Sequence, residues 1–138
     1  MENCIFCKVA NNEIKSEKIY EDNNSIVILD IRPASRHGGH VLIIPKKHFE
    51  LITDLPDNLL KKLSLVVKKI SNALLRYGEG LNIVQNNKTT AGQVVPHVHF
   101  HLIPRFKDDG IRIEKWETNE YKPGEVKKIA SKIKSLLK

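Results

Sequence analysis

Apolar and polar positions recur along this chain with two different periods, and each change of period marks a new element. Lys18-Ile19-Tyr20-Glu21 predicts a short strand, closed by the turn-forming triplet Asp22-Asn23-Asn24. Ser25-Ile26-Val27-Ile28-Leu29-Asp30 and His40-Val41-Leu42-Ile43-Ile44-Pro45 are β-rich runs of strand length, separated by a polar loop that holds Pro33, Gly38 and Gly39. From Pro56 to Tyr77 the period lengthens. Leu59, Leu63, Val66, Ile70, Ala73 and Tyr77 mark one face of a long helix, with Lys61, Lys62, Lys68, Lys69 and Arg76 largely opposite. Gly78 and Gly80 stop that helix, and Leu81-Asn82-Ile83-Val84-Gln85 predicts a further strand.

The polar loop Asn86 to Gln93 leads into His97-Val98-His99-Phe100-His101-Leu102-Ile103, where the period is strictly two, ending near Pro104-Arg105. On a strand this run projects three imidazoles from one face and buries Val98, Phe100 and Leu102 on the other. The stretch from Phe106 to Tyr121 is irregular, and Trp116 within it requires a packing partner. Val126, Ile129, Ala130, Ile133, Leu136 and Leu137 then recur at helical spacing. Short connections between strands, with helices set apart, predict an α+β fold: an antiparallel sheet with one long helix and one C-terminal helix.

Composition narrows the class without naming a partner. At 138 residues, 41% hydrophobic and 28% charged, the chain suits one soluble domain spanning 1–138, with no repeat or linker to divide it. No apolar run approaches the ~20 residues of a membrane span, and the N-terminus lacks a secretory pattern, so a cytoplasmic location without membrane association is expected. The formal charge is +7, and much of it comes from Lys127, Lys128, Lys132, Lys134 and Lys138 on the C-terminal helix. We read these lysines as a solvated helix face rather than a nucleic-acid footprint, since no interleaved aromatic platform accompanies them.

Half of the six histidines stand in the period-two run. Imidazoles crowded together cannot all hold a proton near neutral pH, so their pKa values spread apart and the cluster offers a neutral nucleophile beside a proton donor. The run is similar to the signature of the histidine triad (HIT) superfamily of nucleotide hydrolases and transferases. The resemblance extends over about residues 1 to 105: Cys4-Ile5-Phe6-Cys7, Leu29-Asp30-Ile31, the run from Gly39 to His48, Asn86 and Gly92-Gln93. It implies attack by His99 on the α-phosphorus of a nucleotide to give a nucleotidyl-histidine that water resolves. His101 would contact phosphate oxygens and the leaving group, its protonated form stabilising charge, and His40 would support the site as a fourth histidine.

By the same resemblance Asp30 receives ribose hydroxyls, Asn86 and Gln93 reach phosphate, and Gly92 lets the backbone approach it. Val94 stands where many members carry Ser or Thr, so one hydroxyl donor to phosphate is missing and only the backbone N–H remains. Ile5, Phe6, Ile26, Leu29 and Ile31 are either base-pocket lining or plain core, with core the better reading for most. The expected substrates are adenosine or guanosine 5′-monophosphate derivatives such as phosphoramidates, acyl adenylates or dinucleoside polyphosphates. The expected assembly is a homodimer whose sheets join, with the helix from Pro56 to Tyr77 at the interface. The rival reading is a weakly catalytic nucleotide-binding or scaffold protein, for which Val94 is the best support.

Cys4 and Cys7 admit a metal reading. Some HIT proteins with this N-terminus hold structural zinc, which here implies Cys4, Cys7, His48 and His97 as a tetrahedral set. If zinc takes His97, that residue orients the site and shuttles no proton. A redox dithiol or two buried thiols are the alternatives. No determinant of substrate is legible in residues 106 to 138.

Overall fold

The protein is described by a computed structural model over residues 3–137. Its elements are α1 (Ile5–Ala10), β1 (Lys18–Glu21), β2 (Ser25–Leu29), β3 (Val41–Pro45), α2 (Asp57–Tyr77), β4 (Gly80–Val84), β5 (Phe100–Arg105) and α3 (Glu125–Leu136). The five strands form one antiparallel sheet in the order β1-β2-β3-β5-β4, so the last strand in sequence inserts between β3 and β4. The fold is α+β, as the element pattern predicted.

Period-two alternation sorts the strands' side chains onto two faces. Val27, Val41, Ile43 and Leu102, with Val98, pack against Leu63, Val66, Ile70 and Leu74 of α2. Ile26, Ile28, Leu42 and Ile44 face the other way and pack on Phe6 and Val9 of α1. The α2 stripe is the one its spacing predicts, and the helix ends where the Gly78 N–H bonds the Leu74 carbonyl. The six-residue α1 covers only part of its face of the sheet, and that leaves room there for a site.

Three expectations change, and one helix stands where the sequence predicted no element. The ladder of β5 starts at Phe100, so His97, which sits at a bend, and Val98 and His99 precede it outside the sheet. The Val98 N–H instead bonds the Phe49 carbonyl at 2.7 Å, and the alternation of faces persists through this backbone contact. Cys4-Ile5-Phe6-Cys7 is the start of a helix, capped by the Cys4 sulfur that accepts from the Cys7 N–H. Trp116 is 76% exposed and finds no place in either core cluster. In α3 no described residue is buried: Val126, Ile133 and Leu136 of its apolar stripe are exposed with the lysines, and Ile129 is half-buried. Among the described residues, no helix is long and apolar enough to cross a membrane.

Candidate active site and metal centre

Cys4, the N-cap of α1, and Cys7 in its first turn meet His48 from the loop after β3 and His97 from the approach to β5. Their ligand atoms all lie within 4.8 Å of one another. His97 Nδ1 is 3.3 Å from Cys4 Sγ and 3.6 Å from Cys7 Sγ, and His48 Nδ1 is 3.3 Å from Cys7 Sγ. Sulfur and nitrogen ligands of a tetrahedral zinc ion stand about 3.5 Å apart, given the usual bond lengths, so the quartet fits that ion. The tautomer fits too. His97 Nε2–H donates to the Pro45 carbonyl at 2.8 Å, which leaves Nδ1 as a lone pair towards the sulfurs. Burial lowers the His97 pKa to about 4, helped by His48 and His99 and opposed by the Pro45 bond, so the ring is neutral near pH 7. Burial, with Cys4 alongside, pushes the Cys7 thiol up to about 11, an arrangement in which a cation is needed to favour its thiolate.

The second cluster continues along the same chain. His99 Nδ1–H donates to the His97 carbonyl at 2.7 Å, leaving Nε2 as the ring's lone pair, and the ring stands edge-on to Phe6 with centroids 4.9 Å apart. His101 lies beside it, also 4.9 Å between centroids. His101 pairs across the ladder with Leu42 of β3 and Val84 of β4, and its Nδ1 is 2.9 Å from Nε2 of His40, the residue preceding β3. The Ala34 N–H donates to His40 Nδ1 at 3.0 Å. Asp30, at the end of β2, has Oδ2 3.6 Å from His40 Nε2 and accepts the Arg32 N–H on Oδ1 at 2.8 Å. Burial lowers the pKa of His40 and of His99, and the nearby Asp30 carboxylate opposes it only in part. Burial first, then His99 and His40, lowers His101 to about 4. The cluster is therefore one of neutral imidazoles beside a carboxylate.

The remaining sequence candidates divide. Gly92 has a left-handed backbone (φ +94°), and a Cβ there would stand 3.4 Å from Asn86 Nδ2, so those two residues are neighbours. Gln93 is buried, and both ends of its amide are engaged: Oε1 accepts from the Lys88 N–H at 2.7 Å and Nε2 donates to the Glu50 carbonyl at 2.8 Å. It braces the loop. Val94 is 89% exposed and, with Ile5 and Pro96, borders a cavity of about 390 Å³ that also touches Cys4 and His48. Phe6 and Ile26 are core, whereas Ile5, Leu29 and Ile31 are exposed around the site. A larger cavity of about 500 Å³ lies under residues 105–115 and holds none of the histidines. The Ala34 amide and the Pro45 carbonyl were invisible in the sequence because backbone groups carry no residue signature.

Comparison with known proteins agrees with this geometry. The HIT domain family model matches residues 11–108. The chain is 42% identical over 136 residues to the protein Hit of Bacillus subtilis, covering 96% of this chain and 92% of that one. It is 37% identical over 136 residues to the adenosine 5′-monophosphoramidase of Schizosaccharomyces pombe, covering 98% of each. A crystal structure of a HIT family member from Bacillus subtilis superposes with a TM-score of 0.89 at 39% identity, covering 99% and 98% of the two chains. The chain belongs to the HIT domain family.

Proposed function

We propose that the protein is a nucleotide phosphohydrolase or nucleotidyl transferase working at the α-phosphorus of nucleoside 5′-monophosphate derivatives. The observation that carries this reading is the tautomer of His99. Its Nδ1–H is tied to the His97 carbonyl, so Nε2 is a lone pair on a ring that burial keeps neutral. Such a nitrogen attacks phosphorus without a separate base. The N–P bond forms as the bond to the leaving group breaks with its electron pair, and water then cleaves the nucleotidyl-His99, releasing the 5′-monophosphate and restoring the ring. His101 stands beside His99 for contact with the phosphate and leaving group. Asp30, with one oxygen taken by the Arg32 amide, receives the ribose hydroxyls. The S. pombe relative, named an adenosine 5′-monophosphoramidase, supports an adenosine phosphoramidate among the substrates. Gly92 and Asn86 line the phosphate approach, where Val94 supplies only its backbone.

Cys4, Cys7, His48 and His97 would hold a structural zinc ion, which binds the N-terminal segment to the approach of β5 and takes no part in bond making. The whole chain, 1–138, is one domain of a cytoplasmic homodimer. Two features support the dimer: β4 ends the sheet with Ile83 half-exposed, and α2 exposes Leu65 and Leu75. The decisive experiment incubates the protein with adenylated compounds, denatures it during turnover and measures intact mass. Addition of one nucleoside monophosphate, absent in His99→Ala, supports the enzyme. Neither adduct nor turnover across the panel would favour the scaffold reading, to which Val94 lends its weight.

A further inference from the structure

We infer that the backbone amide of Ala34, acting through His40, fixes the proton of His101 on Nε2, so that His101 serves as a neutral hydrogen-bond donor. The step rests on the proposed reaction only for its use; the proton's position is a property of the free protein.

An amide N–H can only donate, so the 3.0 Å bond from Ala34 makes His40 Nδ1 an acceptor. A neutral imidazole carries one N–H, which in His40 is then on Nε2. That nitrogen faces His101 Nδ1 at 2.9 Å. Two N–H groups cannot face each other, so His101 Nδ1 accepts and the ring's own proton is on Nε2. A second proton on the pair would set His40 Nδ1–H against the Ala34 amide, or His101 Nδ1–H against His40 Nε2–H. The titratable groups facing the pair are Asp30, whose carboxylate lies 3.6 Å from His40 Nε2, and His99.

The loop carrying Ala34 is held at several points. The Asp30 N–H bonds the His40 carbonyl at 2.9 Å, the Gly38 N–H bonds the Ser35 carbonyl at 3.0 Å, and the Tyr77 hydroxyl donates to the His37 carbonyl at 2.6 Å. Ser35 is buried and accepts the His37 N–H on its hydroxyl. Ala34 is a positioning residue through its amide, and His40 is one through its ring.

Two consequences follow for chemistry. His101 stabilises a departing atom by a hydrogen bond but has no spare proton to surrender. Leaving groups that depart without taking one, such as phosphate, sulfate or carboxylate, or an amine that brings its own proton, are favoured. Asp30, His40 and His101 also have donor atoms within 4.8 Å of one another, yet a metal would require a lone pair on His40 Nε2, which the Ala34 amide denies.

The test is a two-bond 1H–15N correlation spectrum of the uniformly 15N-labelled protein as isolated, at pH 7. His40 and His101 should both show protonated Nε2 and bare Nδ1. An Nδ1–H tautomer or an imidazolium at His101 would overturn the inference, whether or not any substrate turns over. Ala34→Pro, which removes the amide proton, should give a mixed His101 tautomer and lower kcat about tenfold with KM within about twofold. Replacing His40 with Leu should do the same, and His40→Gln, which returns a side-chain N–H donor, should recover much of the loss. A folded Ala34→Pro protein with the parent's His101 spectrum and kcat would remove the amide from the account. If that variant does not fold, the parent spectrum still decides.

Discussion

The Tyr77 ring occupies the space that a side chain at Gly39 would need. Tyr77 ends α2, its hydroxyl bonds the His37 carbonyl, and Gly39 precedes His40 with φ at +81°. A Cβ on Gly39 would lie 2.5 Å from Tyr77 Cε1 and 2.9 Å from Pro104 Cγ. The long helix thereby sets the loop that carries the Ala34 amide and presents His40. Gly39→Ala should cost about 2–3 kcal/mol in urea unfolding, from overpacking and a strained backbone together, and should lower kcat as well. A loss below about 0.5 kcal/mol would mean the loop relaxes freely.

Replacing His99 with Ala or Gly should remove turnover while leaving the fold and nucleotide affinity nearly intact. The nucleophile contributes to the transition state far more than to ground-state binding. Equilibrium binding of a non-hydrolysable nucleotide, set beside kcat, separates the two effects, and retained turnover would refute the mechanism.

Protein prepared without chelator should contain about one zinc per chain, as the four-ligand tetrahedral set requires. Chelation, or Cys4→Ser together with Cys7→Ser, should lower Tm clearly, because metal binding energy is here folding energy. Activity should fall less steeply than in His99→Ala, since all four positions on such an ion would be protein ligands, leaving none open to substrate. Metal analysis without zinc, joined to an unchanged Tm in the double variant, would leave two ordinary thiols.

Arg105 is gripped by Asp109 through Nε at 2.9 Å and Nη2 at 3.0 Å, and by Glu114 through Nη1 at 2.6 Å. Chiefly through that guanidinium, Asp109 is held well below its ordinary value of 3.8. A carboxyl lowered in the folded state contributes stability that is full above its ordinary value and fades as pH falls through the lowered one. The Tm gap between the parent and Asp109→Asn should therefore be widest near neutral pH and close progressively below about pH 4. A gap independent of pH would show that the ion pair is not its source.

Most of the element pattern was legible in the chain because periodicity is a local property. The stripe from Leu59 to Tyr77 predicted α2 almost to the residue, and Leu81 to Gln85 predicted β4 within one position. The histidine run was read correctly for faces but too generously for the ladder, since hydrogen bonding depends on neighbours that the pattern does not name. The helix at Ile5–Ala10 went unseen because six residues carry too little period to declare it. The meeting of Cys4 with His97 was legible only by resemblance, as no local rule joins residues 93 positions apart. Trp116 shows the opposite failure: a large aromatic suggested burial, and the chain leaves it in the open.

The place of β5 in the sheet also governs the order in which this protein can come to exist. Its neighbours β3 and β4 are made earlier in the chain but do not touch until β5 arrives between them. A nascent chain ending before residue 97 therefore leaves the inner edge of β3 unpaired, β4 without any partner strand, and no triad. Closing the sheet is a non-local, late event, the kind of step that slows folding and exposes intermediates to aggregation. The segment that brings His97, His99 and His101 also completes the sheet, so the reactive cluster assembles only as the fold closes.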